Sequence, residues 1–258
     1  MPRCGRYIAI FLALSSSTIL TGCSKQTLNM DRTANPTTAS TAPASVEDVA
    51  KLGKRWKTRG HVNSGLAYAN ALESIGQSDK QLEVYEALAQ RNPDNAKLAG
   101  LYGRRLVAAG RSEEAVPVLE RAVAADPGDW RLQSALGSAL DQQGLYQKAR
   151  RHYEKALAAD PQNLSVLNNI GMSYALEGNL KQAEATLRQA DALPRSKSEP
   201  KIRQNLALVV GLQGRFEEAS NLAREDLPPE QVAENMAYLQ KMLSQPNTWQ
   251  QISEGGKG

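Results

Sequence analysis

Few side chains in this chain are equipped for covalent or acid-base chemistry. The sequence carries two histidines, His61 and His152, and two cysteines, Cys4 and Cys23, so a Ser-His-Asp relay would have to be built on one of those two imidazoles. His152 adjoins Tyr153 in a segment that reads as the second helix of a repeated pair, on its convex solvent side. His61 falls in an entry turn. Each reads as a surface histidine rather than a base or a ligand. No Gly-rich loop ends in Lys-Ser or Lys-Thr, no His-Glu-x-x-His is present, and the cysteines lack metal spacing. Glu113 and Glu114 are ordinary helix-start charges, favourable against the positive end of the helix dipole. The sequence therefore predicts no enzyme, no metal, no cofactor and no small-molecule substrate.

The chemistry that does suggest itself is modification of Cys23. Arg3 and Arg6 form a positive start, Ile8 to Leu14 an apolar run too short to span a bilayer, and Leu20, Thr21, Gly22 and Cys23 close the segment. That order is similar to a bacterial lipobox, which implies cleavage before Cys23 and attachment of its sulfur to diacylglycerol. An ordinary signal peptide with a chance cysteine is the alternative. Cys4 would leave with residues 1–22, so the mature chain has no second thiol for a disulfide and depends on packing for stability. Ser24 after the lipidated cysteine, rather than Asp, implies transfer to an outer membrane in Gram-negative cells. From Ser24 to Ser45 the composition shifts to Thr, Ala, Ser, Pro and Asn. This reads as a disordered tether within the 23–45 stretch, of about 22 residues and a mean reach on the order of 25 Å.

Beyond the tether the organisation is periodic. Pro93, Pro127 and Pro161 are each 34 residues apart, as are Gly76, Gly110, Gly144 and Gly178. The same step links the small residues Ala69, Gly103, Gly137 and Gly171, the alanines Ala115, Ala149 and Ala183, and the large residues Tyr85, Leu119, Tyr153 and Leu187. Each unit then consists of two antiparallel helices. The small residues sit where they cross, a glycine turns the chain after the first helix, and a proline follows the second. Such units bury too little alone and stack into a solenoid whose inner face is lined by the first helix of each pair. The pattern resembles the tetratricopeptide repeat. It predicts an all-α superhelical solenoid of about five helix pairs, at 62–95, 96–129, 130–163, 164–197 and 200–233, with capping helices at both ends. The step lengthens to 36 between the fourth and fifth units, placing two extra residues between Pro194 and Pro200. The first unit departs at Gln81, where alanine is expected, and at Leu88, which predicts a looser crossing.

An N-terminal helix is expected within 46–61, because Ser45 and Asp48 form a capping box and Val49, Leu52 and Trp56 share a face. After the 62–233 solenoid, Val232, Met236, Leu239 and Leu243 predict a C-terminal helix, with a frayed tail completing 234–258. The formal net charge of +4 falls to about +2 once Arg3 and Arg6 are removed, and with no base-stacking motif this excludes nucleic acid as a partner. Lys51, Lys54, Arg55, Lys57 and Arg59 form a local basic cluster, either facing anionic headgroups or forming a solvated helix face.

The repeat phase also assigns the inner groove, from the residues one turn to either side of the small-residue column. Lys97, Arg104, Arg131, Ser134 and Ser138 make its middle, and Asn168, Met172, Leu176, Lys201, Gln204, Leu208 and Leu212 its last two repeats. The groove passes from polar to apolar, which suits a short partner segment with an apolar anchor. Leu208 and Leu212 can equally pack inside the solenoid. Some tetratricopeptide proteins grip a C-terminal carboxylate with paired Lys and Asn, but Leu66 and Ser134 stand where the first lysine would be.

The run from Arg203 through Gln204, Asn205, Leu206 and Ala207 to Gly214, Arg215, Phe216 and Ala219, followed by Asp226, Leu227, Pro228 and Pro229, is similar to the C-terminal part of the TadD family. These are the tetratricopeptide lipoproteins of the tight-adherence (Tad) Flp-pilus assembly system. The resemblance takes in the lipobox, the tether, the repeats and Ala237, Tyr238 and Leu239. It implies a periplasm-facing outer-membrane adaptor for the Tad secretion machine, pilotin-like toward the secretin, with Tad components as protein partners and the membrane engaged through the lipid. A general envelope scaffold for cell-wall enzymes or outer-membrane protein assembly shares the lipobox and the repeats.

Overall fold

The computed structural model describes residues 45–244, which comprise twelve α-helices and one 3₁₀ turn. The expected signal segment, Cys23, the expected tether up to residue 44 and the expected tail from residue 245 lie outside the described residues. The described chain forms two compact units, 45–84 and 85–244.

In the first unit, α1 (Val46–Arg59) starts as the sequence predicts. The Ser45 hydroxyl accepts from the Asp48 N–H at 3.1 Å and the Asp48 carboxylate accepts from the Ser45 N–H at 3.3 Å, satisfying donors that a helix start leaves free. Val49, Gly53 and Trp56 are its buried face. It packs on α2 (Val62–Ser74). The α3 helix (Ser78–Arg91) begins this unit's next crossing, where Gln81 replaces the expected alanine. Its side chain is buried and its Nε2 donates to the Ala69 carbonyl and to Glu73 Oε2, both at 3.1 Å. The crossing is therefore bonded rather than loose, because the amide exchanges water for two protein acceptors.

The second unit continues with the pairs α4 (Ala96–Ala108) and α5 (Ser112–Ala125), α6 (Trp130–Gln142) and α7 (Tyr146–Ala159), α8 (Leu164–Leu176) and α9 (Leu180–Asp191), and α10 (Pro200–Leu212) and α11 (Phe216–Ala223). Partners within each pair pack together, and so do the first helices of successive pairs, α4 on α6, α6 on α8 and α8 on α10. The glycine between helices has positive φ, as at Gly144 (76°), and the next residue, Leu145, returns its N–H to the Leu140 carbonyl at 2.9 Å. Only glycine adopts that conformation without a steric cost. The glycine at the crossing acts through space instead. A Cβ on Gly137 would stand 2.5 Å from Tyr153, and one on Gly171 2.6 Å from Leu187.

The extra residues of the fourth unit form the 3₁₀ turn Pro194–Ser198. In the fifth pair both crossing positions are alanines, Ala207 and Ala223, and α11 has 8 residues where α7 has 14. The final helix, α12 (Pro229–Ser244), supplies the missing volume through Val232, which packs with Ala207 and Ala223, and through Leu239 over Gly211. It begins at Pro229 rather than at 234 because α11 stops early.

Candidate functional site

The inner side of α4, α6 and α8 holds an open cavity of about 260 Å³, lined by Arg104 and Val107 of α4, by Trp130, Arg131, Ser134, Ala135 and Ser138 of α6, and by Asn169 of α8. Asp129 caps α6 by accepting from the Arg131 N–H at 2.8 Å, which fixes the first turn that carries Trp130 and Arg131. The Arg131 guanidinium lies 4.6 Å from the Trp130 ring centroid, within cation–π range. Gln142 donates to the Val107 carbonyl at 2.8 Å and ties α4 to α6. Asn169 donates to the Ser134 hydroxyl at 3.2 Å and ties α6 to α8. The lining offers two guanidiniums, an indole and neutral hydrogen-bonding groups, and no carboxylate.

Behind this lining lies a buried polar network. Ser138 Oγ donates to the Ser134 carbonyl at 3.1 Å and stands 3.2 Å from the Tyr153 hydroxyl, which itself donates to Asp141 at 2.8 Å. The other Asp141 oxygen accepts from Ser173 at 2.7 Å. Burial pushes the Asp141 carboxyl up to about 6, against the opposing pull of the Ser173 and Tyr153 donors. Burial raises the Tyr153 phenol further still, so it remains a donor. Arg150 completes the network, 2.6 Å from Glu177 and 4.3 Å from the Tyr174 ring centroid. Every member of the network is bonded, which holds the cavity floor in one arrangement.

Of the groove residues expected from sequence, Arg104, Arg131, Ser134 and Ser138 come together here. Lys97 and Lys201 are exposed but outside the cavity, and Met172, Leu176, Gln204 and Leu208 are half-buried on α8 and α10. Asn168 is buried and accepts from Asn205 at 2.6 Å, and Leu212 is also buried, so both belong to the packing between helices. Trp130, Val107, Ala135 and Asn169 were missed by that reckoning. Trp130 lies two turns before Gly137 on the same face, and Ala135 and Asn169 are one repeat apart, so extending the periodicity would have found them.

His61 is exposed. His152 is not the fully solvated group expected on the convex side: it is half-buried, with Nδ1 2.8 Å from Gln133 Oε1, and burial lowers its pKa. Gln133 in turn donates to the Pro127 carbonyl at 3.0 Å, so the imidazole braces the turn before α6. Among the described residues no group of three or more His, Cys, Asp or Glu is placed to hold a metal, and no helix is long and apolar enough to cross a membrane. Arg203 and Asn205, prominent in the sequence, face inward. Arg203 is 8 % exposed and grips Asp226 with two bonds of 2.8 and 2.5 Å, and Glu225 lies 3.5 Å away. That pair pins the loop before α12 to α10.

Residues 66–130, 101–163 and 134–197 match the tetratricopeptide repeat family, and the chain belongs to it. Among solved structures, it is similar to a tetratricopeptide protein of Parabacteroides merdae (TM-score 0.61, 13% identity, covering 75% of this chain and 77% of that one). It is also similar to a thermophilic tetratricopeptide protein of Thermus thermophilus (0.59, 23%, 69% and 98%) and to MamA of Desulfovibrio magneticus (0.52, 23%, 58% and 85%). At these identities the likeness is one of fold. No curated protein matches the chain. The fold and the open inner face define a protein-interaction scaffold.

Proposed function

We propose that this chain is a non-enzymatic lipoprotein adaptor of the outer membrane that serves assembly of the Tad/Flp pilus secretion machine, pilotin-like toward the secretin. The single observation that carries the binding role is the cavity on α4, α6 and α8. At about 260 Å³ it is smaller than pockets for drug-sized molecules, roughly 300 to 1,000 Å³, and suits one or two side chains of a bound segment. With Arg104 and Arg131 at its edge and no carboxylate in its lining, it favours a segment carrying Asp, Glu or a terminal carboxylate. The half-buried Met172, Leu176 and Leu208 offer that segment an apolar continuation. The Tad assignment is supported by the run from Arg203 to Ala219 with Asp226 to Pro229, and the membrane location by Leu20 to Cys23 with Ser24.

The test is retention of the secretin and of pili in cells expressing Arg104→Glu/Arg131→Glu or Met172→Glu protein. Both should fall while circular dichroism remains that of the parent. Folded variants that keep parental piliation would overturn the groove assignment. Parental binding to cell-wall enzymes or barrel-assembly components, with none to the secretin, would favour the general envelope scaffold.

A further inference from the structure

The basic cluster of α1 has an orientation that the sequence alone left open. Val49, Gly53 and Trp56 are buried against the rest of their unit, and at 100° per residue Lys51 lies opposite them, Lys54 and Arg55 fall to either side of Lys51, and Lys57 and Arg59 take the two flanks. All five cations are exposed. The acids on the same helix are already engaged: Glu47 pairs with Lys51 at 2.8 Å, and Asp48 is held by Ser45 in the capping box. Among the described residues no acidic partner meets Lys54, Arg55, Lys57 or Arg59. The face therefore presents a cationic surface that the fold itself does not neutralise, directly after a 22-residue stretch that begins behind Cys23 and the apolar Ile8 to Leu14 run.

We propose that this face of α1 lies on the anionic headgroups of a phospholipid bilayer, so that the first unit is seated on the membrane surface. A face with several uncompensated Lys and Arg is attracted to anionic lipid, and the attraction decays within a Debye length. Twenty-two residues separate Cys23 from Val46, so a bilayer that holds Cys23 keeps α1 within at most about 80 Å of it, and the cationic face adds a second, electrostatic attachment beside the lipid. The inference goes beyond the adaptor reading and does not depend on which partner occupies the inner groove.

The experiment uses full-length protein purified in detergent from the membranes that produce it and reconstituted with vesicles of phosphatidylcholine, alone or mixed with phosphatidylglycerol. Lysine acetylation is followed by peptide mass spectrometry. On phosphatidylglycerol vesicles Lys51, Lys54 and Lys57 should react on the order of tenfold more slowly than on phosphatidylcholine, whereas the exposed Lys148 and Lys181 keep one rate on both. Molar salt should abolish the difference. In Lys54→Glu/Arg55→Glu protein with unchanged circular dichroism, Lys51 and Lys57 should lose their protection. Equal rates on the two vesicles overturn the proposal, as does protection of the same size on both, which would mean that protein covers the face. Protein that fails to float with phosphatidylcholine but floats with phosphatidylglycerol upholds the cationic face and refutes the lipid anchor. Protein that floats with neither refutes both.

Discussion

Replacing Gly137 by alanine adds one methyl group at a closely packed helix crossing. The new Cβ would stand 2.5 Å from Tyr153 Cε1 and 2.8 Å from its Cδ1 and Cζ, so the ring must move by about 1 Å to restore ordinary contact. Tyr153 is 1% exposed, and its hydroxyl is held by Asp141 at 2.8 Å and by Ser138 at 3.2 Å. Overpacking of this kind costs about 1 to 3 kcal/mol, and disturbing a buried bond to a carboxylate adds about 1 to 3 kcal/mol. Alanine returns about 1 kcal/mol through its higher helix propensity. The net expectation is a loss of about 1 to 5 kcal/mol, read by urea denaturation with circular dichroism and as a fall in Tm of roughly 2 to 20 °C. In Gly137→Ala/Tyr153→Phe the two changes should not add, because they share one ring. A Gly137→Ala protein as stable as the parent, at an unchanged urea slope, would refute the close-approach account of the crossing.

Asp141→Asn should alter how stability depends on pH. The Asp141 carboxyl titrates near 6 in the folded chain against about 3.9 unfolded. Its contribution is therefore fully present below about pH 4 and lost as pH rises through 6. Relative to Asp141→Asn, the parent should gain about 1.4 kcal/mol between about pH 7.5 and about pH 5, and parallel pH curves for the two proteins would count against a buried ionisable carboxylate. Asp226→Ala removes the principal partner of the Arg203 guanidinium and should cost about 2 to 4 kcal/mol, with faster hydrogen exchange in α12, whereas Glu225→Ala, whose side chain is 62% exposed, should be close to neutral. Cys23→Ser should leave the chain uncleaved or released, and parental fractionation with the outer membrane would contradict lipidation.

What the sequence made legible is what repeats. Gly137 and Tyr153 can be paired without coordinates because Gly103 with Leu119 and Gly171 with Leu187 keep the same spacing, and a helix face that packs must recur with the unit. Ser45 and Asp48 were equally readable, since a capping box is complete within four residues. The features that escaped are those in which one position departs from its column and is compensated from elsewhere. Gln81 fills an alanine site by bonding across to α2, and Ala223 replaces a large residue whose volume returns as Val232 of the next helix. Arg203 finds Asp226 at a separation of 23 residues that no period specifies. The cavity was half legible. Arg104, Arg131, Ser134 and Ser138 follow from the phase of the small-residue column, and Trp130 and Asn169 become visible only when that phase is carried further along the same helices.

The central claim is that the inner face of α4, α6 and α8 holds a segment of a Tad component. The most direct measurement is the equilibrium affinity of the purified secretin for the full-length protein, for Arg104→Glu/Arg131→Glu, and for a charge-reversed control at Lys148 and Lys181, which lie outside the cavity. Reversing two lining charges should weaken binding by at least about tenfold, from desolvation and repulsion of a carboxylate-bearing segment, while the control binds as the parent does. Parental affinity in a folded Arg104→Glu/Arg131→Glu protein would contradict the site, and absence of secretin binding by the parent itself would contradict the assignment to the Tad machine.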